Sequence, residues 1–387
     1  MPYPTSRRQF ITLAGGGAVF ATLPLAGCAS AYPDEATQAW HAASAETDLR
    51  RHMLAHALLA PNPHNRQPWI ADLAQPGRIG LVCDSGRLLP ETDPFGRQIL
   101  IGCGAFIELA VIAAAQRGVA VDVQLFPDGA PAADALPRGT RVALLQLRAP
   151  GSAQPDPLFA QIPHRHTNKT AYADDRALPA PLTAQWAQTA QRFGLASGVV
   201  ADAAGMDRLR AITREACEIE SLTPRTWLES AHLMRIGPAA IAHHRDGISL
   251  NGTVPRLMHA VGLFDPLEVP TPGSANLKRV MARWAAFETG SGYLWLASSG
   301  NARQAQVDAG RAYVRLHLQA TAAGVQMHPL SQALQEFAEV RGPYLEVHRA
   351  LALDPQRSTV QMLARTGFAL QAAQPSPRRG LQAMLQA

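Results

Sequence analysis

The sequence predicts a mixed α and β protein built from two related halves in one chain. Three observations lead there. Helix-like and strand-like runs alternate along 387 residues, enough for two domains or one double-sized unit. The residues Arg97-Gln98, Gly104 and Gly118-Val119 return as Arg303-Gln304, Gly310 and Gly324-Val325, always 206 positions later. Each copy reads as a long helix that ends at glycine and runs directly into a strand. Hydrophobic residues make up 47% of the chain and charged residues 17%, a balance that fits a packed core and argues against disorder.

Ser6-Arg7-Arg8-Gln9-Phe10-Ile11 opens the chain, an uncharged run follows to Leu25, and Leu25-Ala26-Gly27-Cys28 closes it. A basic start, a short apolar run and small residues before a cleavage point make a signal peptide over 1–27. The arginine pair resembles a twin-arginine export signal, and Leu-Ala-Gly-Cys resembles a lipobox. Those resemblances imply export by the Tat route, lipidation at Cys28 and a periplasmic protein held at a membrane surface, leaning toward the outer membrane. Residues 28–47 then read as a tether with one short helical turn.

Asp48 to Leu59 carries apolar residues near helical spacing. It runs into Pro61-Asn62-Pro63-His64-Asn65-Arg66-Gln67-Pro68-Trp69, a corner stiffened by three prolines that presents amides and an imidazole. Trp69 to Leu73 and Arg78 to Cys83 flank Gln75-Pro76-Gly77 as a hairpin. Asp93-Pro94 is the expected start of a buried helix that stops at Gly118, and Val119 to Phe126 and Arg141 to Leu147 read as strands. Cys103 on that helix reads as a small apolar residue in preference to a redox thiol. Pro181 to Phe193 and Ala203 to Ser221 read as helices, and 223–273 is broken by repeated proline and glycine. Tyr293 to Ser298 reads as a buried strand, and Asn301 as the cap of a helix ending at Gly324.

The formal net charge of +5 is spread thinly and is nearly all arginine, with no basic block and no Cys/His finger, so nucleic acid is not an expected partner. Thirteen scattered histidines and four unpaired cysteines give no metal-ligand spacing, and no metal is expected. Gly290-Ser291-Gly292 is not a serine-hydrolase elbow.

The proline-stiffened corner resembles the Pro-Ser-x-x-Asn-x-Gln-Pro-Trp segment of the nitroreductase family, flavin enzymes that use FMN. Asn62 stands where that family commonly has serine. Arg165-His166-Thr167-Asn168-Lys169 resembles the family's basic phosphate motif, and residues two apart on an extended segment face the same way. Asp93-Pro94-x-x-Arg97-Gln98 with Gly102-Cys103-Gly104 resembles the single-chain tandem branch called Acg-like. The resemblance implies an α+β fold of two pseudo-symmetric units, 48–150 and 163–387, with antiparallel-rich sheets flanked by helices and 223–273 as a lid. It implies a monomer acting as a pseudo-dimer and binding one FMN.

Arg165, Thr167, Lys169, Arg378 and Arg379 would hold the phosphate side, with Lys169 alternatively at the flavin's N1–C2 edge. Asn62, His64, Asn65 and Gln67 would come from the other unit. Pro329, Leu330 and Ser331 would pass the ring near N5. The implied activity is two-electron transfer through N5 to a nitroaromatic- or quinone-like acceptor from an unidentified donor, with no side chain as general base. The alternative is a lipid-anchored flavin-binding or storage protein without turnover.

Overall fold

The computed structural model describes residues 31–42 and 45–386. The export signal expected over 1–27 and the lipidation expected at Cys28 lie outside the described residues. Where the sequence predicts a tether with one turn, the chain forms two short helices, α1 (Asp34–Thr37) and α2 (Ala39–Ala42). They pack onto the body because Trp40 is an apolar side chain with a partner to reach: it is buried, and its indole Nε1–H donates to the Ser376 carbonyl at 2.8 Å.

In the first unit α3 (Leu49–Ala57) is capped by Asp48, whose carboxylate accepts from the Arg51 amide at 3.0 Å. The hairpin β1 (Trp69–Asp72) and β2 (Arg78–Cys83) follows, then α4 (Arg97–Gln116), β3 (Val119–Leu125) and β4 (Arg141–Pro150). The strands form an antiparallel sheet in the order β1-β2-β4-β3. Helix α4 starts later than Asp93-Pro94, because Gly96 takes a left-handed conformation (φ +69°) that breaks the helical run. The Asp93 carboxylate still satisfies two orphan amides of the first turn, Gln98 at 3.1 Å and Ile99 at 2.9 Å.

The second unit contains β5 (Tyr172–Ala173), α5 (Ala180–Arg192), β6 (Ala196–Val200) and α6 (Ala203–Leu222). The glycine- and proline-broken segment 223–273 is built from α7 (Pro224–His232), β7 (Met234–Ile236), α8 (Gly237–His244), β8 (Ile248–Leu250) and α9 (Thr253–Ala260), with β7 and β8 paired in parallel. After α10 (Ala275–Trp284) come β9 (Gly292–Ser299), α11 (Arg303–Ala322), β10 (Gln326–Pro329), α12 (Arg341–Ala350) and β11 (Ser358–Ala369). The sheet order is β10-β11-β9-β6, all antiparallel, with β5 added at the end of β11. Asn301 does not cap α11; Ala302 occupies that position, and the Asn301 side chain accepts from the Gln306 amide instead. The architecture is α+β, two units with antiparallel sheets flanked by helices.

The repeated residues meet at the centre. Helices α4 and α11 cross where Gly104 faces Gly310. A Cβ on Gly104 would lie 1.9 Å from the Val307 carbonyl oxygen, and one on Gly310 would lie 1.8 Å from that of Ile101. The repeated arginines at the helix starts are exchanged in the same way. Buried Arg97 donates to Glu336 Oε2 at 3.0 Å and to the Val360 carbonyl of the second unit. Arg303 donates to the carbonyls of Phe95 at 2.7 Å and Ala132 at 2.6 Å in the first. Each unit's core includes side chains from the other's long helix, Val307 and Val314 in one and Ile101 in the other.

The Arg97–Glu336 pair lies at this seam. Glu336→Ala should cost about 3–5 kcal/mol in chemical denaturation, since it leaves a buried guanidinium without its counterion. Arg97→Met/Glu336→Met should lose markedly less than the single variant.

Candidate functional site

The site begins at the corner after α3. Asn62 is extended and Pro63–Asn65 make one 3-10 turn where the sequence predicted wholly non-helical backbone. His64 (φ 47°), Asn65 (φ 51°) and Gln67 (φ 52°) are all left-handed without being glycine. Such a run of strained residues persists only where its surroundings over-determine it. Here the surroundings are side-chain clasps. Asn62 Oδ1 accepts from the Gln67 amide at 2.7 Å. Asn65 donates to the Pro377 carbonyl at 2.9 Å and accepts from Arg378 at 2.7 Å. Gln67 accepts from the Arg379 amide at 2.9 Å and donates to the Arg245 carbonyl at 2.9 Å. The amides of Asn62, Asn65 and Gln67 are thus engaged with protein, tying the corner to the C-terminal arm and to the segment after α8.

That C-terminal arm is no solvated tail. Arg378 is 3% exposed, and its guanidinium donates to the carbonyls of Leu58 at 2.8 Å, Leu59 at 3.1 Å and Ala60 at 3.1 Å. Arg165, 2% exposed, donates to the same Leu59 carbonyl at 2.9 Å. The Trp40 ring lies over both, its centroid 5.2 Å from Arg378 and 6.0 Å from Arg165, with His166 edge-on at 4.5 Å. Neither arginine has a carboxylate partner among the described residues. Burial pulls Arg165 down to about 10, and burial with the neighbouring Arg165 cation pulls Arg378 down to about 9. Arg165 Nε and Arg379 Nε are buried donors with no partner. Two desolvated guanidinium groups side by side are costly unless an anion completes them.

Lys169 lies four residues beyond Arg165, a reach of at most about 14 Å on extended backbone. A parallel bridge between Thr167 and Met327 lays this segment beside β10. Lys169 and Arg283 reach solvent, yet protein packs closely round both. Burial, then Arg283, brings Lys169 down to about 8. His64, bonded through Nε2 to Ser230 Oγ at 3.0 Å, is brought to about 4 by burial, then by Lys169 and Arg66. His328 is held well below its usual value by burial, then by Arg365, Lys169 and Arg283. Arg365 Nε donates to His328 Nδ1 at 3.2 Å, so the neutral ring carries its proton on Nε2.

The segment 223–273 is docked on the corner. The Gly247 amide donates to the Asn65 carbonyl at 3.3 Å. Asp246 accepts from Arg87 at 2.8 Å and from Arg235 at 2.9 Å. Burial would raise that carboxyl, but Arg87 and Arg235 outweigh it and hold it below the ordinary range.

The structure brings Arg165, Arg378, Asn65 and Gln67 together, with Lys169 near enough to His64 for its charge to act on that ring. Leu330 does not belong with them: it is 1% exposed, packs in the core and gives its amide to the Leu363 carbonyl at 2.9 Å, because it continues the pairing of β10 with β11. Pro329 and Ser331 beside it remain half-buried. Trp40, Arg283, His328 and Arg365 were not legible as site residues. Trp40 sits in a stretch that reads as tether, and only its being the one tryptophan there could have marked it. A cavity of about 1190 Å³ lies elsewhere, between α5, α6 and the edge strand β6, and none of the predicted site residues lines it. Its walls mix both signs of charge, including Arg210 and Glu288, so it lacks the uncompensated cation that marks the Arg165–Arg378 locus.

No family model matches the chain. It is 28% identical over 345 residues to “Putative NAD(P)H nitroreductase Rv3131” of Mycobacterium tuberculosis strain H37Rv, covering 87% of this chain and 90% of that protein. It is 37% identical over 82 residues to “Putative NAD(P)H nitroreductase acg” of the same strain, covering 21% of this chain and 24% of that protein. Among solved structures, the FMN-dependent nitroreductase NfnB of Mycobacterium smegmatis in complex with NADPH aligns at 17% identity over 59% of this chain and 96% of that one, with a TM-score of 0.37. A nitroreductase with bound FMN from Bacteroides fragilis aligns at 10% identity over 58% of this chain and 95% of that one, with a TM-score of 0.35. The two superpositions carry no weight here; the sequence likeness spans most of the chain.

Proposed function

We propose that the chain is an FMN-binding oxidoreductase of the nitroreductase type, passing two electrons to a small nitroaromatic- or quinone-like acceptor. One observation carries this reading: buried Arg165 and Arg378 share the Leu59 carbonyl, have no carboxylate partner among the described residues, and leave Arg165 Nε unsatisfied. A phosphate dianion answers that arrangement, accepting from the free Arg165 Nε–H and cancelling the repulsion between the two cations. Likeness over 87% of the chain to a protein named for NAD(P)H nitroreductase chemistry supports the oxidoreductase reading.

Bound FMN would supply hydride chemistry at its ring, and the protein's work is placement, charge and access. Arg165 and Arg378 anchor the phosphate end. Thr167, half-buried and between Arg165 and Lys169 in sequence, adds a hydroxyl on the same segment. Lys169 and Arg283 place positive charge near His328, favouring whatever negative charge accumulates on the ligand. Arg365 keeps the His328 proton on Nε2, so that residue serves as a neutral donor. Asn65 and Gln67 act by holding the arm that carries Arg378. The proposal extends to location: Tat export and a lipid on Cys28 put the protein at a periplasmic membrane surface, where a quinol or protein donor is more accessible than a nicotinamide.

A storage role is the second reading, favoured by the covering of the site by Trp40 and by the docked segment 223–273. The test is the visible spectrum of the purified protein. A bound flavin that a donor bleaches and a quinone or nitroaromatic reoxidises supports the enzyme. A flavin that dithionite alone reduces supports storage. A colourless protein that stays so with added FMN overturns both.

The Lys169 cation gives a pH signature. Its value is lowered to about 8, so the free protein loses that charge as pH rises through 8, while a bound anion holds the proton on. FMN affinity should therefore fall by up to about tenfold per pH unit above about 8. Lys169→Arg should remove the bend, and Lys169→Met should bind more weakly without it, read by quenching of FMN fluorescence.

A further inference from the structure

Among the described residues six large hydrophobic side chains are strongly exposed, and five of them are Val254, Leu257, Val261, Leu263 and Leu267. Val254, Leu257 and Val261 fall on one face of α9 and the turn that follows it, and Leu263 and Leu267 continue from that turn. This is a built knuckle with fixed ends. Trp227 Nε1 donates to the Pro266 carbonyl at 2.9 Å, and Asn276 donates to the Glu268 carbonyl at 2.9 Å. Apolar surface concentrated in one place on an otherwise ordinary exterior marks a contact.

The chain's own path says with what. Asn251, two residues before α9, donates to the Ala31 carbonyl at 3.0 Å, so the N-terminal strap enters the fold beside the knuckle. Cys28 is three residues upstream of Ala31, within about 11 Å along the chain. A lipid on Cys28 would enter its bilayer next to these five side chains.

We propose that the knuckle 254–267 is a membrane-contact element, seating its apolar side chains at the headgroup level of the bilayer that holds the anchor. The inference rests on the lipid-anchor reading of Cys28. A lipid on Cys28 tethers the chain through its N-terminus alone, and the knuckle adds a second contact that fixes how the body sits on the surface. The knuckle also sets the protein's orientation: the segment that carries it is the one docked on the corner, so the corner faces the bilayer side of the molecule.

The described cysteines Cys83, Cys103 and Cys217 are all buried, so a polarity-sensitive thiol dye on an introduced surface cysteine reports that position. Leu257→Cys, Leu263→Cys and, as control, exposed Gln188→Cys on α5 are labelled in the lipidated full chain and mixed with phosphatidylethanolamine/phosphatidylglycerol vesicles. Emission at Leu257 and Leu263 should rise several-fold and be quenched by nitroxide-bearing lipid chains, with no change at Gln188. Probes at all three positions that stay in water on vesicle-bound protein overturn the proposal. So does an emission rise that follows protein concentration without vesicles, which would mean a second copy covers the patch. The mass of the Cys28 peptide tests the anchor separately. A lipidated protein with dry knuckle probes sinks the knuckle alone; an unlipidated protein with no vesicle affinity sinks both.

Discussion

Arg165→Met/Arg378→Met will purify without flavin, and added FMN will not raise its melting temperature. Each guanidinium should be worth about 1.5–3 kcal/mol toward a dianion, the range for hydrogen bonds to charged groups. Removing both therefore weakens binding by roughly a hundredfold to ten-thousandfold. The single variants should fall between, and their sum need not equal the double, because the two cations repel each other across one carbonyl. The apo protein supplies the control. Arg378→Met also strands the carbonyls of Leu58 and Ala60, so its unliganded stability should drop, whereas Arg165→Met relieves a buried charge for the loss of one clear hydrogen bond. Unchanged FMN affinity in a folded double variant would remove the phosphate site from this locus.

Gly104→Ala and Gly310→Ala should be the most damaging small substitutions in the chain. The added methyl would sit 1.9 Å from the Val307 carbonyl oxygen in one case and 1.8 Å from the Ile101 oxygen in the other. Backbone on the partner helix cannot rotate away, so α4 and α11 must separate. Alanine's better helix propensity returns about 1 kcal/mol. Overpacking at a backbone contact costs about 3 kcal/mol or more, so the clash wins. Either variant should unfold at markedly lower denaturant or fail to accumulate, and the two units would lose their shared core. Gly102→Ala is the comparison: its new methyl would meet the Asn62 Cβ at 3.1 Å, a much looser contact that asks for only a few tenths of an ångström of movement.

The elements of regular structure were largely legible. Periodicity and glycine stops locate α4 and α11, whose observed ends fall just before Gly118 and Gly324. The hairpin around Gln75-Pro76-Gly77 and the buried strand beginning at Tyr293 also lie where their residues place them. Misreadings occurred where a local signal had a tertiary competitor. Asp93 looks like a helix cap and does bind first-turn amides, but Gly96 moves the helix start. Asn62, Asn65 and Gln67 look like ligand groups in a loop, yet their amides are engaged by protein partners. Leu330 looks like a ring neighbour and is a core residue. Residues near 30–45 look like tether because no pattern along the chain can show that Trp40 will find two arginines, one 125 and the other 338 positions away.

By itself the sequence determined where most helices and strands lie, because helix periodicity and turn chemistry are local properties that survive without knowledge of any contact; the expectation of two related units came from the constant offset together with the family resemblance. It also determined which cations were candidates. Only the tertiary structure decided that Arg165 and Arg378 share one carbonyl without a carboxylate, that Gly104 meets Gly310, and that an apolar knuckle stands beside Ala31. Those facts depend on pairs far apart in the chain, and the energy of an uncompensated charge or a sub-contact distance exists only once the pair is formed.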